Sequence, residues 1–475
     1  MTGTVLRDTV SMDQAGPPLA RLPHPKFRLP IAGDLLSVDS SKPVQREMKM
    51  ADELGGIYER KIFGHRLVVV SDPILVNEVN NEQVWTKFLG LPHRKLRGIA
   101  GDGLFTAFNS EPNWQLGHSI LGPAFNKAAM RRYHQSMQDS IDGLLTTWDN
   151  SSASKSVDAY DECSKLAFDV IGRCALSHDF GTFDGNVPFA EAIARALGYV
   201  NRSSNDVPVV RAVTGRSAAR QHGQDLALIR DTVASLVDSR MLARRSGVNA
   251  NSDLLQHMFE TVDPTTGSGL SIDNIKNQII TFLVAGNETT ASTMAFALHF
   301  LSRNSGLLQS LREEVEYVAP GGGAVEFDDV PKLRRVRRVV DETLRLWPAA
   351  PGYFRKARER GPAELGGYEI PEGWVFVLLP QVHRSASWGA DARSFDPDRF
   401  MAGKMDHAPD RVYKPWGTGL RACIGRQFAL HEAVLALASI VRRYNVTPDG
   451  TYELDVREAI TLRPHGVRLR LSRCD

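Results

Sequence analysis

Cysteine is scarce in this chain, which has 4 such residues among 475. Cys163, Cys174, Cys423 and Cys474 form no Cys-x-x-C pair, so the sequence holds neither a disulfide framework nor a cysteine-rich zinc site. Long hydrophobic runs are also missing: no stretch of about 18 apolar residues occurs, which excludes a membrane-spanning helix. Free thiols and an N-terminus without an apolar signal core predict a cytoplasmic protein.

Charge of one sign is lacking as well, because 57 basic residues nearly balance 55 acidic ones and leave a net charge of +2. A nucleic-acid-binding domain carries a strongly basic face, so we predict no nucleic-acid partner. Hydrophobic residues make up 42% of the chain. That is enough apolar surface to offset chain entropy, which excludes disorder as the dominant state.

Helical patterns dominate the chain, whereas strand patterns are few and short. A helix is predicted from Pro43 to Gly55, since proline at the start and glycine at the end punctuate helices. From Ser271 a segment of roughly 30 residues runs past Phe300 and is apolar on all sides, which is typical of a helix through the core. A further helix is predicted to begin at Pro331 and to end at Trp347-Pro348. The last long helix is predicted from about Cys423 to Arg443.

Strand patterns predict a small β region, at residues 57–70, 364–380, 452–456 and 467–472. The chain near 200–220 is predicted to be irregular. No composition shift or long linker divides the sequence. We therefore predict a mainly α fold with a small β subdomain, in a single domain over residues 23–475 behind a flexible tail of residues 1–22. No reductase domain is expected within the chain.

The segment W-G-T-G-L-R-A-C-I-G, residues 416–425, carries the most informative cysteine of the chain. Glycines at positions 417, 419 and 425 let the backbone turn tightly and approach a flat ligand. Cys423 precedes the apolar sequence FALHEAVLALASI, and free N–H groups at the start of that helix would stabilise a thiolate. A thiolate on such a loop is a ligand for haem iron. The alternative, more common for a lone cysteine, is a buried structural thiol.

Residues 285–290, A-G-N-E-T-T, lie midway along the predicted core helix. Gly286 within a helix costs about 1 kcal/mol relative to alanine, which suggests that a ligand approaches the backbone there. Glu288 and Thr289 are costly in an apolar helix unless they have polar partners. The alternative is a polar kink in a long helix.

The pattern W-G-T-G-x-R-x-C-x-G resembles the haem-binding loop of the cytochrome P-450 superfamily. The other motifs follow in the order of that family, and the resemblance covers roughly residues 23–475. ITFLVAGNETT and ETLRLWPAAP are similar to segments in the haem domain of bacterial self-sufficient fatty-acid hydroxylases. The resemblance implies the P-450 fold, a helical, triangular prism-like domain around a buried haem b, and a monooxygenase activity that uses O2.

The resemblance makes Cys423 the axial iron ligand and places Ala285 near the haem face, with Gly417 in the haem loop. It assigns O2 binding and proton delivery to Glu288 and Thr289. Trp416 stands where the family has phenylalanine. If its indole N–H reaches the sulfur, it would withdraw thiolate charge and raise the haem potential; simple aromatic packing is the alternative.

Further roles are implied by the same resemblance. The family's haem-propionate contacts correspond here to Trp114, His118 and Arg421, with Arg355 as a further candidate. A buried structural network corresponds to Glu342, Arg345 and Arg399. Substrate-lining positions correspond to Phe105, Leu96, Ala100, Thr281, Val284, Ala350 and Ile460.

All of these lining residues except Thr281 are apolar, so we predict a lipophilic substrate, fatty-acid-like or a larger acyl or polyketide-type compound, that is hydroxylated or epoxidised. The arginine and tyrosine that anchor a fatty-acid carboxylate in the hydroxylases are replaced here by His65 and Val69, which argues against simple fatty-acid anchoring. Electrons are expected from a ferredoxin with its reductase or from a diflavin reductase. The cations of a basic docking face are predicted to be Arg131, Arg132, Lys414 and Arg426.

Two other functions stay open at the level of sequence. A peroxide-driven peroxygenase is one, although such relatives replace the acid–threonine pair by Arg-Pro, whereas Glu288 and Thr289 are intact here. A non-catalytic haem-based sensor is the other, although a sensor needs neither a proton relay nor an apolar pocket.

Overall fold

The computed structural model describes residues 19–150, 155–185, 187–205, 208–247, 252–404 and 412–474. Most of the predicted N-terminal tail, residues 1–18, lies outside the described residues. At the described end of that tail, the Ala20 N–H donates to the Gly367 carbonyl at 2.9 Å. Leu22 packs against the small β region. The chain is thus fastened to the fold before residue 23.

Helices dominate the described residues, as predicted. They are α1 (Pro43–Leu54), α2 (Pro73–Val79), α3 (Leu91–Ala100), α4 (Pro112–Leu121), α5 (Lys127–Asp149), α6 (Ala159–Leu176), α7 (Pro188–Asn205), α8 (Pro208–Arg245), α9 (Leu254–Glu260), α10 (Ile272–Ser302), α11 (Ser305–Val318), α12 (Arg334–Leu346), α13 (Leu379–Val382) and α14 (Arg426–Arg443).

Short strands make up the rest of the regular structure. They are β1 (Ile57–Ile62), β2 (His65–Val70), β3 (Trp85–Lys87), β4 (Lys155–Asp158), β5 (Gly352–Ala357), β6 (Ala363–Leu365), β7 (Tyr368–Ile370), β8 (Trp374–Leu378), β9 (Tyr444–Pro448), β10 (Asp455–Glu458), β11 (Leu462–His465) and β12 (Arg468–Arg473). The largest sheet has the order β1-β2-β8-β5-β3.

The core helix α10 forms as its apolar sequence predicts. Ser271 caps it, because the serine Oγ accepts a hydrogen bond from the Asn274 N–H at 3.2 Å. Helix α10 packs along α6 and also contacts α12 and α14. Nearly all of its residues are buried, so the middle of the helix lies in the interior of the domain.

Two helix starts and one irregular segment differ from prediction. Helix α14 begins at Arg426 rather than at Cys423, because Gly425 is the N-cap and the cysteine stays in the preceding loop. Helix α12 begins at Arg334, since Pro331 lies in a separate 3-10 turn. The predicted irregular chain near 200–220 is wrong where it is described. Helices α7 and α8 cover that region and pack against each other, so tertiary contact overrides weak local propensity.

The hairpin β1–β2 holds His65 and Val69, which stand where the hydroxylases have their carboxylate anchors. The strands pair from Ile57 opposite Val70 to Ile62 opposite His65. His65 is exposed, while Val69 has no exposed surface and packs with Met48 and Tyr58. Position 69 is therefore part of a core in this protein and not a ligand contact. Among the described residues, no helix has the length and apolar character needed to span a lipid bilayer.

Candidate active site

Cys423 lies in a loop that is held from both sides. Its backbone N–H donates to the Trp416 carbonyl at 2.8 Å, which closes the loop on itself. Gly419 has a φ of +65°, and a Cβ atom there would lie 2.0 Å from the Glu82 carboxyl carbon. The Glu82 carboxylate in turn accepts from the Leu420 N–H at 3.2 Å. Glycine is required at this close approach, which fixes the loop ahead of α14.

The thiol of Cys423 is exposed, yet the surrounding protein raises its pKa by desolvation. The Gly425 N–H and the Arg426 guanidinium act in the opposite direction but are the smaller effects. The Gly425 N–H at the helix start thus favours the thiolate, in the predicted direction, but does not outweigh the desolvation. A metal cation bound at the sulfur would make Cys423 a thiolate, since a metal-bound thiol is deprotonated outright.

Ala285 and Thr289 form one short accessible strip in the middle of helix α10, called the open strip below. Ala285 is exposed and Thr289 is half-buried, although Val284 and Glu288 beside them are buried. The Thr289 Oγ1 donates to the Ala285 carbonyl at 2.7 Å, so both residues share one turn of the strip. Because most residues of α10 are buried, an exposed residue at its middle leaves a surface where a ligand could approach the helix backbone.

Glu288 points into a polar contact on the buried side of α10. Its carboxyl group accepts from the Thr461 hydroxyl at 3.0 Å and is only 6% exposed. Burial raises the pKa of Glu288, and the Thr461 hydrogen bond and Arg463 oppose that shift. The raised pKa shifts Glu288 toward the protonated acid, which is the form that can donate a proton.

The predicted propionate contacts Trp114, His118 and Arg421 come together in the structure. The Trp114 and His118 rings stack with their centroids 5.4 Å apart, and the Arg421 guanidinium lies 4.5 Å from the Trp114 ring centroid. Arg421 donates only to neutral oxygens, including the Ala107 carbonyl at 2.8 Å. Burial lowers its pKa to about 10. The cluster is therefore a desolvated cation between two aromatic donors.

Lys87 at the end of β3 joins this cluster, and sequence reasoning missed it. Its Nζ donates to the Phe105 carbonyl at 2.6 Å. Burial, Arg421 and Arg355 all lower its pKa, which shows that the three cations act on each other. Among the described residues neither Lys87 nor Arg421 forms an ion pair. A lone lysine on a short strand carries no sequence signal of this role, because only the folded chain brings it beside Arg421.

Arg355 is buried and reaches the cysteine loop from β5. Its guanidinium donates to the Thr418 carbonyl at 3.2 Å and lies 3.6 Å from Glu82. The Nε atom has no hydrogen-bond partner within the described part of the chain. Buried cations that repel each other and donors without acceptors require an anionic ligand. Haem carries two carboxylates, and the exposed thiol and the open strip of α10 fit its other surfaces.

Comparisons with known proteins agree with this geometry. The family model described as "Cytochrome P450" matches residues 23–471. The chain belongs to the cytochrome P450 family. A solved cytochrome P450 (CYP102L1) superposes with a TM-score of 0.88 and 41% identity, over 97% of this chain and all of that one. P450 proteins bind haem, so haem is the cofactor of this chain.

Curated relatives of this P450 chain are longer than it. A bifunctional cytochrome P450/NADPH–P450 reductase of Bacillus cereus is 36% identical over 95% of this chain and 42% of the relative. A self-sufficient cytochrome P450 monooxygenase of Phanerodontia chrysosporium is 32% identical over 92% of this chain and 41% of the relative. The chain thus spans about two fifths of the length of these relatives.

The predicted substrate-lining residues differ in how far they are buried. Ala350 is exposed, Phe105 and Ile460 are half-buried, and the others, Leu96, Ala100, Thr281 and Val284, are buried. Thr281 donates its hydroxyl to the Asn277 carbonyl at 2.7 Å inside α10. A Cβ at Gly103 would lie 2.0 Å from that hydroxyl, so Thr281 packs closely against the chain after α3. The one polar side chain of the predicted lining therefore has its hydrogen bond already satisfied.

The predicted network of Glu342, Arg345 and Arg399 is present below the site. Arg345 donates to both carboxylate oxygens of Glu342, at 2.6 and 2.8 Å, and both residues are 0% exposed. The Arg399 Nε lies 3.5 Å from the same carboxylate. Arg345 also donates to the carbonyls of His383 and Ala392, which ties α12 to the segment that precedes the cysteine loop.

Trp416 keeps its indole N–H without a hydrogen-bond partner among the described residues, although the atom is buried. Within the described part of the chain, this indole N–H therefore forms no hydrogen bond to the Cys423 sulfur. We expect that a charged, metal-bound sulfur would accept this N–H and lose electron density. Trp416→Phe should then lower the haem reduction potential, measured by spectroelectrochemical titration. Trp374→Phe, outside the cysteine loop, is the control, and equal potentials in all three proteins would leave only packing for Trp416.

Proposed function

We propose that this P450 is a haem-thiolate monooxygenase that uses O2 to hydroxylate or epoxidise a lipophilic substrate. The observation that carries the proposal is the open strip of α10, where Ala285 is exposed and Thr289 half-buried beside Glu288, whose pKa is raised by burial. Relatives named as P450 monooxygenases support the same activity. Bound haem supplies the chemistry of O2 activation, which no side chain of the protein can perform.

The residues around the haem have separate tasks in this proposal. Cys423 ligates the iron, while Lys87, Arg355 and Arg421 neutralise the two carboxylates with Trp114 and His118 beside them. Thr289 holds its hydroxyl at the open strip, where it orients a proton toward the reacting oxygen. Glu288 supplies protons from the buried side of the same turn. The apolar lining around Phe105 and Ala350 excludes water and favours a lipophilic ligand.

No observation favours the two other functions. A peroxide-driven peroxygenase would not need the acid–alcohol pair that Glu288 and Thr289 form. A haem-based sensor would need neither this pair nor the opening at Ala285. Four free cysteines in the described residues and relatives from Bacillus support a bacterial, cytoplasmic setting, which we include in the proposal.

The electron donor is proposed to be an NADPH–P450 reductase or a ferredoxin with its reductase. Relatives that join a P450 to an NADPH–P450 reductase support a flavoprotein donor. Arg132 on α5 and Arg426 at the start of α14 are exposed on helices that pack together. Arg131 is also exposed but pairs with Asp328 at 2.9 Å, and Lys414 is half-buried. We therefore assign most of the docking attraction to Arg132 and Arg426.

Reconstitution tests the proposed function. The purified chain with NADPH alone should not consume a lipophilic substrate, whereas an added reductase system should start O2-dependent product formation. The rate should fall as salt rises, because charges at a docking face are screened over about 10 Å at 0.1 M salt. Turnover with NADPH and no added protein would contradict the partner, and product formed equally well without O2 would contradict the monooxygenase.

Thr289→Ala should uncouple the reaction. We expect O2 and NADPH consumption to continue while product per NADPH falls at least about tenfold and hydrogen peroxide accumulates, because proton delivery is lost. Thr293→Ala is a matched control, since Thr293 makes the same bond one turn later, to the Thr289 carbonyl at 2.8 Å, from a buried position. Equal coupling in the two variants would remove Thr289 from the proton path.

A further inference from the structure

His93 is a titratable side chain inside the predicted substrate region. It is the third residue of α3, and its ring centroid lies 5.2 Å from that of Phe105 and 5.6 Å from that of Phe354. We infer that His93 recognises a neutral oxygen group of the substrate, a hydroxyl or carbonyl, by a hydrogen bond to its imidazole. The inference rests on the proposed function, because it specifies which ligands the same site takes.

One nitrogen of this imidazole is buried without a partner. Nδ1 has no hydrogen-bond partner among the residues that the structure describes. The neighbouring rings offer none: Phe354 packs further against Phe88, Trp374 and Phe376. A buried polar atom without a partner is unfavourable, whereas a few polar atoms in an apolar pocket orient ligands. A ligand oxygen would satisfy the nitrogen.

The charge state of His93 decides which oxygen group it prefers. Burial and the nearby Lys87 ammonium lower the pKa of His93 to about 3. The imidazole is therefore neutral near pH 7, with one N–H donor and one acceptor nitrogen. A neutral imidazole forms no ion pair with a carboxylate and does not offset the cost of burying its charge, so an uncharged hydroxyl or carbonyl is the matching partner.

The hairpin β1–β2 removes the competing position for polar recognition. Val69 is 0% exposed in the core formed with Met48 and Tyr58, so it cannot contact a ligand. His65 stands alone on the exposed end of β2. The polar group of a lipophilic substrate is then bound at His93, by a hydrogen bond to the imidazole.

The nearby Lys87 points to one other group that could be the partner of the His93 Nδ1. Lys87 belongs to the cations assigned to the haem carboxylates, so a haem carboxylate rather than a substrate could accept from His93. The two sources differ in what they control. A substrate contact controls ligand selectivity, whereas a haem contact controls haem retention.

The test compares ligand pairs that differ by one oxygen group. Decane, decanol and methyl decanoate are titrated into the ferric holoprotein, and the spin-state shift gives each dissociation constant. We expect the unmodified protein to bind decanol and methyl decanoate better, relative to decane, than His93→Phe does, by about five- to tenfold. His93→Gln keeps a donor and an acceptor and should restore most of the difference. The selectivity should be equal at about pH 6 and about pH 8, since the imidazole stays neutral.

Each outcome of this test decides whether the His93 Nδ1 contacts a substrate oxygen, a haem carboxylate or neither. Unchanged selectivity in His93→Phe would overturn the inference, and unchanged selectivity together with faster haem loss would assign Nδ1 to a haem carboxylate instead. His93→Leu serves if the phenylalanine variant does not fold, and the same criteria apply to it. The reduced CO spectrum of each protein keeps the two proposals apart. If the unmodified protein shows no thiolate band, the proposed function is refuted. If the band is normal and His93→Phe leaves the ligand selectivity unchanged, only the role of His93 is refuted.

Discussion

Replacing Cys423 by serine is expected to abolish the red-shifted CO band of the reduced protein and all O2-dependent product formation. Cys423 is exposed, while Cys163 and Cys174 are buried in the core. A serine hydroxyl does not supply the electron density with which a thiolate promotes O–O cleavage. The measurements are the CO difference spectrum and product formation with an added reductase.

Cys474→Ser is the control for this experiment, because it removes a half-buried thiol near the end of the chain. Its spectrum and activity should equal those of the unmodified protein. The thiol of Cys423 has a pKa raised by desolvation. Iron binding must therefore displace a proton, and haem affinity of the unmodified protein should fall as pH decreases, whereas in Cys423→Ser this dependence should be weaker. A normal thiolate band in Cys423→Ser would refute the ligand assignment.

Replacing Arg345 by alanine is expected to have the largest effect on stability. The change leaves the Glu342 carboxylate buried without its bidentate partner, and breaking a buried pair in this way costs about 3–5 kcal/mol. It also removes the donors to the His383 and Ala392 carbonyls. We expect the free energy of unfolding in denaturant to fall by that amount and the yield of haem-containing protein to fall with it.

Arg393→Ala is the matched control for the buried network. Arg393 pairs with Asp52 at 2.8 Å on the surface, with both side chains about half exposed or more. Such a pair is worth at most about 1 kcal/mol, so its loss should change the unfolding midpoint little. Arg345→Lys tests geometry, because a lysine keeps the charge and loses the bidentate contact. Equal stability of Arg345→Ala and Arg393→Ala would show that the network does not support the fold.

Local signals explain which elements were predicted correctly. Helix α10 is long and apolar, and Ser271 caps it as such a sequence requires, so its existence needed no tertiary information. Strands β1 and β2 were predicted from the short strand patterns on either side of Gly64, and they pair as neighbours in the chain. The prediction of an irregular chain near 200–220 was wrong because the glycine and serine residues there disfavour a helix only weakly. Contact between α7 and α8 outweighs that preference.

Two of the strands that sequence reasoning missed, β4 and β9, have a partner far away in the chain or on the far side of the β10–β11 hairpin. Strand β4 pairs with β12, where Val157 faces Leu469. Neither the length nor the composition of Lys155–Asp158 predicts this pairing, because the partner strand lies at the other end of the chain. Strand β9 pairs with β12 on its other side.

What the sequence determined by itself is the set of chemical groups. A cysteine in a glycine-rich loop before an apolar helix, and an acid and an alcohol inside a core helix, can be read from neighbouring residues, because loop conformation and helix periodicity are local. Tertiary structure alone decided how those groups are used. It placed Lys87 beside Arg421, turned Glu288 to Thr461 and buried Val69 in a core. Partners far apart in the chain meet only through packing, and desolvation, which sets the pKa of Cys423, exists only once the interior has formed.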